Sequence, residues 1–364
     1  MNVYLDYAAT TPLDPEILEK MMPYLTEEYG NPDSLHGYGR RAAHAVTEAR
    51  DRIAAVLGVK PTEVYFTSGG TEANNWAARC LGHGRVVTSS IEHTSLFSSL
   101  VYRQSGFSVV ETDISGVASP GSFERDLLPG TGLVCLMAVN NETGSIQPVK
   151  EVAQLAHARH IPLFSDCVQA ASSQDLKEIM RYADAISLSG HKLYGPKGIG
   201  ALVVKRGTHL KRLLVGGEQE KGLRAGTQSV ANIVGFSYAL ERAQAMRKAF
   251  NLQAEALKNF FLEEFQKVVG EGMTIDGENC VPNILHATFE KGGQAILSAL
   301  DLCGIACSGG AACSAHAKSP SHVMLAMGRT EEEAMRGVRF SFGRHTTPEE
   351  IVAVVRALGF CLRS

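Results

Sequence analysis

Short apolar segments alternate with helical patterns between residues 64 and 205, and this alternation constrains the fold more than any other feature of the chain. Near-continuous hydrophobic strands separated by helices are typical of a mostly parallel sheet with helices on both faces. The turn Gly198–Gly200 before the last strand indicates an antiparallel return. The predicted strands are Val64–Thr67, Arg85–Ser89, Val109–Glu111, Leu133–Val139, Leu163–Ser165, Ala185–Ser189 and Ala201–Val204, and the predicted helices include Glu72–Leu81, Val149–Arg159 and Leu176–Tyr182.

A long helical pattern covers Ser229–Val269. It predicts one or two long helices that lead out of the domain that contains the sheet. A smaller α+β segment follows it. At ~150 residues per domain, a chain of 364 residues has room for two domains. We therefore predict a large domain over residues 15–250 and a small C-terminal domain over residues 251–364, with residues 1–14 packing against the small domain.

Charge and composition exclude several classes of protein. The chain has 35 Lys and Arg against 38 Asp and Glu, so no basic surplus is present for nucleic-acid binding. The longest apolar run, Leu133–Val139, is far shorter than the ~20 residues of a membrane span, and the N-terminus has no secretory signal. We expect a soluble, cytoplasmic protein that binds neither nucleic acid nor membrane.

The cysteines lie closest together in a segment of small and polar residues near the C-terminus. The spacing of Cys303, Cys307, Cys313 and His316 lacks the paired C-x2-C hairpins of structural zinc modules, so we predict no metal site. Residues 307–320 have no large apolar anchor, and this composition predicts a mobile, exposed loop. A cysteine on such a loop is placed as an accessible nucleophile; the alternative is a tolerated surface cysteine.

Polar side chains follow five of the predicted strands, at the edge where parallel α/β sheets bind ligands. The turn Ser68–Thr71 opens a helix, and backbone N–H groups at a helix N-terminus suit a phosphate. An ordinary glycine turn with a Ser or Thr cap is the alternative, and taken alone it is the better interpretation. The residues that follow the other four strands are Glu92 and His93, then Asn140, Asn141 and Glu142, then Asp166 and Gln169, and finally Gly190, His191 and Lys192.

Asp166 and Lys192 are separated by one predicted helix and one predicted strand, so they should end adjacent strands and lie near each other. A lysine that faces an acid across a heteroaromatic ring suits pyridoxal phosphate. Lys192 would form the Schiff base, and Asp166 would keep the pyridine nitrogen protonated. A buried ion pair is an equally good interpretation of the two residues alone, but the phosphate turn at the same edge favours the cofactor.

Three further side chains gain a role only from their position. His93 can stack on such a ring and exchange protons, although a lone histidine after a strand is more often a semi-buried structural residue. Asn141 can hydrogen-bond the cofactor or the substrate, but an Asn-Asn pair is also ordinary turn chemistry. Arg339, on the closing strand, can hold a substrate carboxylate with two parallel hydrogen bonds.

Motifs along nearly the whole chain resemble those of the cysteine desulfurases, the NifS/IscS-like group of fold-type I pyridoxal-phosphate enzymes. The most specific is Ser189–Gly200, which is close to the family's cofactor-lysine motif. The resemblance implies an aspartate-aminotransferase-like α/β fold, with a mostly parallel seven-stranded sheet in the large domain and a smaller α+β C-terminal domain. The other matching motifs are Tyr4–Pro12, Gly30–Pro32 with His36, Arg224–Thr227 and Arg339–Arg344.

The same resemblance implies a role for each residue at the sheet edge. Thr227 of the neighbouring subunit would complete the phosphate site, so a homodimer is expected. Lys192 would bond covalently to pyridoxal phosphate, Asp166 would contact the pyridine nitrogen, Gln169 the ring hydroxyl and His93 the ring face. The residues that would hold the phosphate are Gly70, Thr71, Ser189 and His191. Asn141 and Arg339 would bind the substrate carboxylate, and Asn141 would also lie beside the cofactor.

The activity implied is removal of sulfur from L-cysteine, which gives L-alanine and a persulfide on Cys313. An acceptor protein, either an iron–sulfur scaffold or a tRNA-thiolation carrier, would take the sulfur. The family's Ser-Ser-Gly-Ser-Ala-Cys reads Ser-Gly-Gly-Ala-Ala-Cys at 308–313, and this departure leaves the acceptor open. The alternatives are a selenocysteine lyase or an aminotransferase on the same fold, the latter with no need for Cys313, and, less favoured, a non-catalytic sulfur-trafficking scaffold.

Overall fold

The computed structural model describes residues 2–310 and 319–363. Its strands are β1 (Val3–Tyr4), β2 (Val64–Thr67), β3 (Arg85–Ser89), β4 (Phe107–Val110), β5 (Thr131–Cys135), β6 (Leu163–Asp166), β7 (Ala185–Ser189), β8 (Gly200–Val204), β9 (Met273–Ile275), β10 (Ile284–Phe289), β11 (Ile305–Ala306) and β12 (Gly337–Ser341). Its α-helices are α1 (Pro15–Thr26), α2 (Gly37–Leu57), α3 (Gly70–Cys80), α4 (Thr94–Leu100), α5 (Pro120–Asp126), α6 (Val149–His157), α7 (Leu176–Tyr182), α8 (Val230–Val268), α9 (Gly293–Leu302), α10 (His322–Ala326), α11 (Glu331–Ala334) and α12 (Pro348–Arg363).

The large sheet has seven strands in the order β2-β8-β7-β6-β5-β3-β4. β8 pairs antiparallel with both β2 and β7, and the other strands pair in parallel. The predicted mostly parallel seven-stranded sheet is therefore confirmed, as is the antiparallel return after Gly198. Helices join the successive parallel strands and return the chain to the same starting edge. The carboxyl ends of these strands therefore lie together at the opposite edge of the sheet.

Two strands differ from the prediction by more than one residue at an end. β4 covers Phe107–Val110, and β5 ends at Cys135 rather than at Val139. The N–H groups of Leu136 and Ala138 still donate to β6 carbonyls at 3.0 and 2.9 Å, but pairing with β3 stops at Cys135. An apolar run predicts which residues are buried, and residues 136–139 are buried in the structure. It does not predict where a strand stops pairing with one of its two neighbours.

Two helices, α1 and α2, precede the first strand of the large sheet and were not predicted. The start of α1 carries a recognisable signal, because Asp14 caps the backbone N–H of Glu16 and Pro15 occupies the first turn. Both helices pack against α8. The buried apolar residues of α1 and α2 lie in the hydrophobic core on one face of the large sheet.

α8 is a single helix of 39 residues that contributes to two hydrophobic cores. Its first half, up to Ala243, is buried with the helices and strands of the large sheet. Its second half buries Leu257, Phe261 and Phe265 against β10, β12 and α12. The predicted domain boundary at residue 250 falls inside this helix and stays a prediction.

The second core lies under a three-stranded antiparallel sheet, β12-β10-β9. β1 pairs in parallel with β11 at this end of the molecule, and the chain then crosses to the large sheet, where the N–H of Thr11 donates to the carbonyl of His191 at 2.9 Å. This crossing places residues 8–10 beside the carboxyl edge of the large sheet. Among the described residues, no helix combines the length and the apolar character that crossing a membrane requires.

Candidate active site

A cavity of about 500 Å³ lies at the carboxyl edge of the large sheet. Its wall combines residues that follow several strands, the N-terminal segment 8–10, and one side chain of β12. The sequence predicted that polar residues converge at this edge, and the structure places them around one space. The predicted residues that line it are Gly70, Thr71, His93, Asn141, Asp166, Gln169, Ser189, His191, Lys192 and Arg339.

Asp166 and Lys192 follow neighbouring strands, as their order in the chain predicted. Asp166 is the last residue of β6, and Lys192 lies three residues beyond the end of β7, its parallel neighbour. The Lys192 Nζ donates to the carbonyl oxygens of Ala8 and Ala9 at 2.5 and 2.8 Å. The N-terminal segment therefore holds the lysine amine at the cavity, an arrangement that no side-chain motif indicates.

The start of α3 forms a corner of the cavity that is suited to an anion. Within the described chain, no side chain caps the N-terminus of α3, and the buried Ser189 hydroxyl has no hydrogen-bond partner. A Cβ on Gly70 would lie 2.8 Å from Cγ2 of Val168, so the close approach of the backbone requires glycine there. Free helix N–H groups beside an unsatisfied hydroxyl fit a phosphate group, and this corner faces the same cavity as Lys192.

Two histidines of the cavity favour the neutral form. Burial, together with the positive charges of Lys192 and Lys197, lowers the pKa of His191 to about 4. Burial also lowers the pKa of His93, although the nearby carboxylate of Asp166 opposes this effect. Both imidazoles can therefore act as hydrogen-bond partners of a ligand near pH 7 without adding a positive charge.

Arg339 and Asn141 lie side by side in the cavity wall. The Arg339 side chain is 1% exposed and donates to the backbone carbonyl of Asn141 at 2.7 Å and to Oδ1 of Asp6 at 2.8 Å. Its Nε is buried and has no partner in the described part of the chain. Protein acceptors thus fix the guanidinium, and the hydrogens that remain can bind a carboxylate.

Asn74 and Ser95 are among the polar side chains of the cavity wall that were assigned no role from the sequence. Asn74 Nδ2 donates to Oδ2 of Asp166 at 2.6 Å and to Oγ of Ser95 at 2.9 Å. Asn74 follows Gly70 by four residues on α3, so the i, i+4 spacing places both on one helix face. The sequence could therefore have indicated Asn74 as a site residue. Ser95 occupies a common position in a helix cap, and nothing in the sequence indicates that it belongs to the site.

One predicted residue of the described chain does not line this wall. Thr227 is exposed and lies outside the cavity of its own chain, and its role toward a neighbouring subunit stays a prediction. Cys313 lies outside the described residues, as does His316.

The chain on either side of residues 311–318 is anchored beside the cavity at Glu142. The Ser321 hydroxyl donates to Glu142 Oε2 at 2.5 Å, and a Cβ on Gly310 would lie 2.7 Å from the same oxygen. Upstream, Ser308 exchanges backbone hydrogen bonds of 2.6 and 3.3 Å with Arg339. Because Glu142 follows Asn141 directly, the described residues Gly310 and Ser321 lie next to the proposed substrate-binding residues.

Comparison with known proteins agrees with this fold. The sequence model of the class-V aminotransferase family matches residues 3–354, so the chain belongs to this family, whose enzymes generally depend on pyridoxal phosphate. Within the family it groups with the cysteine desulfurases. Cysteine desulfurase IscS of Dictyoglomus turgidum is 38% identical over 363 residues, which cover 96% of this chain and 92% of that protein.

Solved structures give the same grouping. A protein described as NifS-like superposes with a TM-score of 0.90 at 32% identity, over the full length of both chains. SspA in complex with cysteine superposes with a TM-score of 0.82 at 33% identity, over 95% of this chain and 100% of that one. The resemblance recognised from the motifs is therefore confirmed.

Proposed function

We propose that this member of the cysteine desulfurases takes sulfur from L-cysteine at the cavity around Lys192, releasing L-alanine and leaving a persulfide on Cys313. The observation that carries the proposal is the meeting of Lys192, Asp166 and the phosphate-binding corner in one cavity. Similarity to desulfurases and to a protein solved in complex with cysteine supports the choice of substrate. An iron–sulfur scaffold and a tRNA-thiolation carrier both remain suitable acceptors of the sulfur.

The residues of the cavity fit pyridoxal phosphate, which when bound supplies an electron sink for the substrate carbon. The unpartnered Ser189 hydroxyl and the uncapped start of α3 are the observations that support this fit. In the proposed arrangement, the residues that hold the cofactor are Lys192 at the reactive carbonyl, Asp166 at the pyridine nitrogen, Gln169 at the ring hydroxyl, His93 on the ring face, Asn141 beside the ring, and Gly70, Thr71, Ser189 and His191 at the phosphate.

Each step of the proposed reaction is assigned to particular side chains. Arg339 and Asn141 orient the substrate carboxylate, and the Lys192 amine takes the proton from the substrate Cα. The Cys313 thiolate then attacks the substrate sulfur. An S–S bond forms as the bond between Cβ and sulfur breaks, and the electron pair of that bond stays with the substrate carbon skeleton. Protonation of Cβ and return of a proton to Cα then complete alanine.

Product analysis of the purified protein tests this function. With L-cysteine and a thiol reductant, we expect alanine and sulfide in equal amounts, together with visible absorbance from bound cofactor. Release of a keto acid without sulfide would indicate an aminotransferase. Turnover of selenocysteine with no alanine from cysteine would indicate a selenocysteine lyase, and a protein that binds the cofactor but turns over neither substrate would contradict catalysis altogether.

Substitution of Arg339 should weaken substrate binding more than it slows turnover. Arg339→Lys keeps the charge but loses the planar pair of donors, so we expect KM for L-cysteine to rise about tenfold with a smaller change in kcat. Arg336→Lys, just before the same strand and outside the cavity, is the matched control. An unchanged KM in a correctly folded Arg339→Lys protein would remove Arg339 from the substrate site.

We also propose a homodimer in which Thr227 completes the neighbouring phosphate site. The segment that carries Thr227 is held by Arg224, which binds Glu72 of α3 through hydrogen bonds of 2.7 and 2.9 Å. Mixed subunits carrying Lys192→Ala and Thr227→Val should regain activity at limiting cofactor, because one site of each hybrid then has both residues intact. Full activity of a strictly monomeric protein would contradict the shared site.

A further inference from the structure

A continuous chain of hydrogen bonds joins Asp166 to His93 through Asn74 and Ser95. Asn74 donates to Asp166 at 2.6 Å and to the Ser95 hydroxyl at 2.9 Å. The Ser95 hydroxyl lies 2.7 Å from Nδ1 of His93, and the Ser95 backbone N–H donates to that nitrogen at 3.1 Å. Because Asn74 is 1% exposed, water does not compete for its hydrogen bond to Asp166.

The direction of each hydrogen bond follows from the chemistry of its partners. A carboxylate only accepts, so the amide nitrogen of Asn74 faces Asp166, and its amide oxygen accepts from the Ser187 hydroxyl at 2.6 Å. The second N–H of Asn74 donates to Ser95 Oγ, which leaves the hydroxyl hydrogen of Ser95 for His93. A backbone N–H cannot reverse its role. Nδ1 of His93 therefore accepts from two donors, and the hydrogen of the neutral ring lies on Nε2.

We propose that Asn74 and Ser95 are positioning residues that fix His93 as a neutral donor, with Nδ1 held as an acceptor and the Nε2–H offered to the cavity. The identity of the acceptor in the cavity rests on the proposed function: it is the substrate sulfur. The tautomer itself rests on the hydrogen bonds of the described residues alone.

The electrostatic surroundings of His93 agree with a neutral ring. Burial is the largest influence and lowers the pKa of His93; Lys192 and His322 act in the same direction, and Asp166 and Glu142 oppose them. A proton on Nδ1 would also point at the Ser95 N–H, which cannot accept it. The sequence predicted that His93 exchanges protons; the hydrogen bonds at Nδ1 favour a more specific role, hydrogen-bond donation from Nε2 toward the substrate sulfur.

Nitrogen NMR of the full-length protein as purified, labelled with ¹⁵N-histidine, tests the tautomer. The His93→Gln variant identifies the signals of His93. We expect an unprotonated Nδ1 and a protonated Nε2, with a titration midpoint below the ordinary histidine pKa of ~6.5. A protonated Nδ1 in the wild-type protein would overturn the proposal.

Variants test whether Asn74 and Ser95 set this state. Ser95→Ala and Asn74→Leu each weaken donation to Nδ1 and should raise the midpoint of His93, with kcat for L-cysteine about three- to tenfold lower and KM little changed. Asn75→Ala is the matched control, because Asn75 also lies on α3 and donates to the Ser95 carbonyl at 2.9 Å but is outside the chain to His93.

The same titration in the control and in both variants would contradict the positioning role, and Ser95→Ala keeps this test available if Asn74→Leu fails to fold. The NMR measurement does not depend on sulfur release. A protein that shows the expected tautomer but makes no alanine would therefore overturn the proposed function and support this inference.

Discussion

Lys192→Ala is expected to abolish the visible absorbance of a lysine-bound cofactor and to lower desulfurase activity by about a thousandfold or more, because the variant loses both the attachment point and the proposed base. Folding should be preserved. The Lys192 amine donates to the carbonyls of Ala8 and Ala9, and in the variant those carbonyls can bind water instead. Absorbance spectra with borohydride reduction, the rate of alanine release and circular dichroism measure the three effects.

The matched control for this prediction is Lys197→Ala. Lys197 also lines the cavity and lies five residues after Lys192 in the same loop, so it tests whether loss of a nearby positive charge is sufficient. We expect this control to keep the absorbance. A Lys192→Ala protein that still shows a chromophore reducible to a lysine adduct would assign the covalent bond to another lysine.

Asp166 and Lys192 could be predicted because the order of elements decides where a strand-ending residue lies. Once the alternation of strands and helices indicates a parallel sheet, every residue after a strand is assigned to one edge. The structure places ten of the predicted site residues around one cavity at that edge. Strand ends such as Ser189 were predicted for the same reason, since a polar residue follows a short apolar run.

The contacts that complete the site could not be read from the sequence. The carbonyls of Ala8 and Ala9 bind Lys192 only because the chain crosses from the β1–β11 pair to the large sheet, and backbone carbonyls carry no side-chain signature. Nothing in the sequence distinguishes Asp6 from the other acidic residues; its role depends on the fold, in which Arg339 of β12 donates to its carboxylate at 2.8 Å. These contacts join distant parts of the chain, and local patterns do not encode such pairs.

Cys313→Ala is expected to separate cofactor chemistry from sulfur transfer. The residues proposed to hold the cofactor lie in the described cavity, so cofactor loading and the spectral response to L-cysteine should be nearly unchanged. Sulfide release and protein-bound persulfide should fall by about a hundredfold or more, because the variant lacks the proposed nucleophile. Anaerobic incubation with L-cysteine followed by mass spectrometry of peptides measures the persulfide directly.

Cys307 is the cysteine most able to replace Cys313, and its surroundings make it a poor nucleophile. Burial, with a further contribution from Asp6, raises the pKa of the Cys307 thiol to about 12. At pH 8 only about one molecule in 10,000 then carries the reactive thiolate. Cys167, next to Asp166, is fully buried, and this burial raises its pKa still further from the ordinary value. Cys307→Ala is therefore the matched control and should retain both persulfide and sulfide release, whereas an added sulfur on Cys307 with none on Cys313 would overturn the assignment.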